Sequence, residues 1–183
     1  MQKETSILNS LPGALTEVNV LFSENCNIEI KDYQIEKESL DYNAARFNLN
    51  KKQVIFRLAK ITPKKTGMFV TLWKRNRNQI TIPFHKDDNV DLVIVEVRKS
   101  DRIGYFVFNK EILIEKGIIT SSKEGKRGFR IYPLWELPSN KQAIASQTWQ
   151  SHYFFEHTKI NKGDRSRLRE LINIKKSDNK AKI

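Results

Sequence analysis

Apolar positions recur first at helical spacing and then in alternation. Ile7, Leu8, Leu11, Leu15, Val18 and Leu21 lie three or four apart, although Pro12-Gly13 interrupts the series. This predicts a short lead-in and a helix from about Pro12, with Ser10 as its cap. Ile28-Glu29-Ile30 alternates and predicts a short edge strand, and polar Gln34–Leu40 a helical turn. Strand signals follow: Ala44–Leu49, a turn at Asn50-Lys51-Lys52, and a returning strand over Gln53–Ile61. Thr62–Gly67 is punctuated as a loop by its proline and glycine. Met68–Arg75 and Ile80–Ile82 are further strand segments.

Asp91–Val97 is nearly continuous apolar sequence, the signature of a central strand buried on both faces. Ile103–Phe108 follows as a strand, Lys110–Lys116 as a helix ended by Gly117, Gly128–Tyr132 as a strand and Gln142–Phe155 as a helix. Beyond Lys159 the chain turns polar and basic. A short helix over Arg165–Ile174 is expected, then a disordered end over Lys175–Ile183. The element order predicts an α/β (α+β) domain: a single central mixed β-sheet flanked by helices. The expected organisation is one domain over 1–158 and a basic extension over 159–183, partly helical and then disordered.

Composition narrows the function classes. The 183 residues include one cysteine, Cys26, which excludes a disulfide framework or a Cys-rich zinc site and fits a reducing compartment. No apolar run reaches the length of a membrane span, and the start of the chain lacks a secretory pattern. The expected location is the cytoplasm.

Charge changes the picture more. The formal net charge is +12, and it is unevenly placed. Residues 1–41 hold 3 basic and 8 acidic side chains, whereas residues 42–86 hold 11 basic side chains and no acid. A one-sign field attracts polyanions, so this stretch predicts a phosphate-binding face. Aromatic and cationic residues interleave at Trp73-Lys74-Arg75 and Phe129-Arg130-Ile131-Tyr132, beside Lys64-Lys65. Arg57 and Lys60 fall inside an apolar strand, where a charge is either paired internally or aimed into a cleft. Gly125-Lys126-Arg127-Gly128 could cradle a phosphate or form an ordinary turn. Phe56, Phe69, Phe106 and Phe108 are assigned to the core.

Catalytic patterns are sparse. Cys26, His85, His152 and His157 match no nucleophile or metal-ligand spacing. Glu96-Val97-Arg98 is similar to the (D/E)-x-K half of a metal-dependent nuclease site, with arginine in place of lysine. A complete site would require Glu96, Asp91 and Glu36 to gather around Mg²⁺.

The run Phe56-Arg57-Leu58-Ala59-Lys60-Ile61-Thr62-Pro63-Lys64-Lys65-Thr66-Gly67-Met68-Phe69-Val70-Thr71-Leu72-Trp73-Lys74-Arg75, with Gly104–Phe108 and Gly125–Trp135, resembles the MepB family of bacterial proteins. The likeness extends from about Glu36 to Phe155. It implies a restriction-endonuclease-like fold and an association with a multidrug efflux operon. The family's shared basic residues map onto Arg57, Lys60, Lys64, Lys74, Arg75, Lys126, Arg127 and Arg130. No catalytic set carries over.

The expectation is therefore a nucleic-acid-binding protein of low sequence specificity, its partner single- or double-stranded DNA. The binding residues are Arg57, Lys60, Lys64, Lys65, Lys74, Arg75, Lys126, Arg127 and Arg130. No intact nuclease site, metal or cofactor is expected. The alternatives are an Mg²⁺-dependent nuclease or phosphoryl hydrolase, and a protein-interaction accessory of an efflux operon.

Overall fold

The computed structural model describes residues 11–173. It opens with helix α1 (Gly13–Cys26), which buries Leu15, Val18, Leu21 and Phe22 and ends on Asn27 in the left-handed conformation. A meander follows: β1 (Lys31–Ile35), β2 (Ala45–Leu49) and β3 (Lys52–Leu58), with a 3-10 turn over Leu40–Tyr42. The chain then forms β4 (Lys60–Ile61), β5 (Met68–Thr71), β6 (Lys74–Arg75) and β7 (Thr81–Ile82). Strands β8 (Leu92–Lys99) and β9 (Arg102–Asn109) lead into helix α2 (Lys110–Glu115). Strand β10 (Gly128–Ile131), helix α3 (Lys141–Ser151), strand β11 (Phe154–Glu156) and helix α4 (Lys162–Leu171) complete the order.

The main sheet has the strand order β1-β2-β3-β8-β9-β11. Its single parallel pair is β3–β8, so the sheet is mixed. The expected mixed sheet with flanking helices is what the chain forms, and the apolar run at 92–97 is its buried central strand. Alternation divides the core in two. Val54, Phe56, Leu92, Ile94 and Val107 face α1 and α4. Ile55, Val93, Val95, Phe106 and Phe108 face a second, three-stranded sheet of order β10-β5-β4. Among the described residues no helix is long and apolar enough to cross a membrane.

Several expectations change. The edge strand lies at Lys31–Ile35, not Ile28–Ile30, and it carries an exposed pattern with little alternation to find. The Gln53–Ile61 strand is cut at Ala59. Its amide still bonds the Glu96 carbonyl at 2.9 Å, but the chain beyond it leaves the main sheet for the small one. The Met68–Arg75 strand breaks likewise at Leu72-Trp73. The expected last helix stops at Ser151, because Phe154 and Phe155 pair with β9 and are buried on opposite faces of the sheet. Within the segment expected as an extension, α4 inserts Leu168, and the residue following the helix, Ile172, also packs into the core beneath α1. The proposed Ser10 cap and the Lys175–Ile183 tail lie outside the described residues.

Candidate functional site

The acid-free stretch and the acidic stretch before it fold against each other. Glu36, just past β1, receives Arg46 Nε at Oε1 and Arg57 Nη2 at Oε2, each at 2.6 Å. Arg57 is only 2 % exposed. Its Nη1 donates to the Phe56 carbonyl at 2.8 Å, while its Nε has no partner. Burial pulls the Arg57 pKa down, and the Glu36 carboxylate opposes that pull. Arg75 pairs with Glu38 and lies 5.5 Å over the Trp73 ring. Lys60 reaches Asp41 at 3.3 Å, over the Tyr42 ring. Lys74 pairs with Asp88. Together, Arg46, Arg57, Lys74 and Arg75 line a cleft of about 330 Å³ with Glu36, Glu38 and Trp73. Four of the nine sequence-selected cations, Arg57, Lys60, Lys74 and Arg75, are thus held by carboxylates.

Four others gather elsewhere. Lys64, Lys65, Lys126 and Arg130, joined by Lys116, line an open groove of about 810 Å³. Its walls are the β4–β5 loop and helix α3, and among the described residues no acidic side chain lines it. Among the described residues no carboxylate lies within 4 Å of Lys64, Lys65, Lys126 or Arg130. Arg130 pins the loop, donating to the Thr66 and Gly67 carbonyls at 3.3 and 3.2 Å and to Thr62 Oγ1 at 2.6 Å. Gly67 is needed here. Its φ is +79°, and a Cβ would fall 2.5 Å from the Tyr132 ring. Phe69, Phe129, Tyr132 and Trp149 also line the groove. Arg127 lies apart from both groups, donating to the Thr81 carbonyl at 2.9 Å with Glu124 3.4 Å away.

The three acids of the nuclease alternative do not converge. Glu96 shares the α1 face of β8 with Leu92 and Ile94, whereas Glu36 holds Arg46 and Arg57 on the opposite face, beside Phe84. Asp91 precedes β8 and accepts the Gln53 amide at 2.8 Å, about 16 Å along the strand from Glu96 at ~3.3 Å per residue. Arg98 instead bridges Glu96 to Glu17 of α1. Burial raises the Glu96 pKa, and Arg98 partly offsets it. Glu96 Oε2 and the hydroxyl of its cross-strand neighbour Tyr105 are both buried with no hydrogen-bond partner among the described residues. Cys26 is buried, and that burial pushes its thiol up to about 11 against the pull of Arg169, which disfavours the thiolate at neutral pH.

Sequence reasoning placed Phe69 in the core and overlooked Lys116 and Trp149. Strand alternation carried the missing signal for Phe69: Met68 and Val70 are buried, and Phe69 between them points the other way.

Fold and site together define a mixed-sheet α+β protein with an acid-free cationic groove beside its second sheet. A family model described as MepB-like matches residues 36–156, and the chain belongs to that family. A crystal structure of MepB is similar at 36% identity and a TM-score of 0.70, covering 82% of this chain and 100% of that one. A more distant likeness, to the bacterial homing endonuclease I-Ssp6803I, has 12% identity and a TM-score of 0.41, covering 75% of this chain and 87% of that one. No curated protein matches.

Proposed function

We propose that this protein binds nucleic acid in the groove between the β4–β5 loop and α3, chiefly through phosphate contacts. One observation carries the reading: five cations line the groove with four aromatic side chains and, among the described residues, no acid, and only Lys116 of the five is paired, with Glu115. Lysine and arginine that are not already held by carboxylates remain available to displace counterions from a phosphate backbone. DNA is the proposed ligand. Sequence preference is low, because phosphate contacts from lysines and stacking on ring faces do not read base edges.

The test is a fluorescence-polarisation titration of labelled DNA across a salt series. Log K should fall linearly with log salt, at a slope set by the number of phosphates neutralised. Absence of binding at about 50 mM salt, where such contacts are strong, would overturn the reading.

A further inference from the structure

The outer face of the small sheet carries an ordered row. Phe69 of β5 is in direct register with Arg130 of β10 on one side and Lys60 of β4 on the other. Directly opposed residues of an antiparallel pair project from the same face. The inward face holds Met68, Val70, Phe129 and Ile131, all buried in the core. Phe69 is half-buried, with its ring lying across Gly128, where a Cβ would come within 2.6 Å of the ring. The missing side chain lets the ring settle against the backbone. Further along the groove, Trp149 rests on Phe108 and Tyr153, at ring separations of 5.5 and 6.3 Å. Two anchored rings therefore line a groove whose cations stand around them.

From this arrangement we infer that the groove takes unpaired nucleotides: a single strand, with bases stacked on Phe69 and Trp149 and phosphates against Lys64, Lys65, Lys126 and Arg130. The inference rests on the nucleic-acid reading above and narrows it to a ligand class. In a duplex the base faces are stacked on one another, so only base edges and phosphates reach a protein surface. Ring faces along a cationic groove have a partner only where bases are unstacked, and stacking is indifferent to which base is offered. Lys60 takes a lesser part, since its ammonium group is turned to Asp41 and Tyr42.

The experiment compares a labelled single-stranded oligothymidylate with a DNA duplex of equal length, against the full chain and against Phe69→Leu and Trp149→Leu. Leucine keeps apolar bulk but offers no ring, and circular dichroism and melting temperature verify that each variant is folded. The single strand should bind about tenfold or more tightly than the duplex, and either substitution should weaken single-strand binding at least about fivefold and duplex binding distinctly less. Equal affinity for the two forms, or a folded Phe69→Leu that binds the single strand like the parent, overturns the single-strand inference and leaves the nucleic-acid reading standing. No binding of either form overturns both. Phe69→Leu alone is sufficient should Trp149→Leu fail to fold.

Discussion

Two cationic regions arise within thirty residues of sequence and have opposite fates. In one, Arg46, Arg57, Lys60 and Arg75 meet Glu36, Glu38 and Asp41 from the segment just before them. In the other, Lys64 and Lys65 join Lys126 and Arg130 in a groove that, among the described residues, no acid lines. The same residue types hold the fold together in the first and stay available in the second. A cation beside a carboxylate has its field cancelled at short range, and a buried one is tied to its partner, because separating them would strand a charge in a low dielectric. Basic composition alone therefore says little about polyanion binding until the acids have been placed in space.

The largest effect that separates the regions is expected at Glu36. Glu36→Ala leaves Arg57 buried with no counter-charge and should lower the unfolding free energy by about 3 kcal/mol, read from urea denaturation. Changing both partners, Arg57→Met with Glu36→Gln, should recover most of that loss, since no buried charge is then left without its counter-charge. A small effect of Glu36→Ala would remove the contrast between the two regions.

Replacing Lys64 and Lys65 with glutamate should do the reverse. Stability should change by no more than about 0.5 kcal/mol, as at other exposed sites. DNA affinity should fall at every sequence tested, and the salt slope should become shallower by about one for each phosphate left without a cation. Unchanged affinity would place the ligand elsewhere.

A pH prediction attaches to Glu96. Its folded pKa is raised, so between the unfolded value of about 4.3 and that raised value the folded state holds a proton that the unfolded chain has released. Stability from this group is thus fully present below the unfolded pKa and declines as pH rises through the window. Glu96→Gln cannot ionise, so its melting temperature relative to the parent should be higher at pH 7 than at pH 4. A flat difference between those pH values would count against a raised pKa. The smallest effect is expected at Glu38→Gln, which loosens only the surface pair with Arg75. Its melting temperature should be indistinguishable from the parent's, in contrast to that of Glu36→Ala.

Long, strongly patterned elements were legible in the sequence. The spacing of Leu15, Val18 and Leu21 marked α1, and the unbroken apolar run marked the central strand β8. Strand breaks were not legible. Residues 53–61 and 68–75 each read as one strand, because alternation persists through Ala59 and Leu72 while the chain transfers its hydrogen bonds to another sheet. β11 was hidden because its adjacent phenylalanines fill both faces of an edge strand, and two apolar neighbours show no period. Lys64, Lys65 and Lys126 were found because they lie in charged loops, and Arg130 because it alternates with aromatic residues along β10, whereas Lys116 gave no such signal. Arg57, Lys60, Lys74 and Arg75 went instead to ion pairs whose acidic partners were visible in sequence, although nothing local told which acid would meet which base.

The pairing of β5 with β10 has a kinetic consequence. β2 and β3 are joined by a tight turn, whereas β5–β10 brings residue 71 to residue 128 and residue 68 to residue 131. Closing that long loop sacrifices chain entropy before its contacts form, so the meander has the head start during refolding. Phe69, Lys64 and Lys65 wait on one side of this late seam, Lys126 and Arg130 on the other. A stopped-flow refolding experiment should therefore recover strand signal before it recovers affinity for labelled DNA. For a chain emerging from the ribosome, Lys126 and Arg130 are also made well after the meander, so the proposed groove is completed later than those first strands.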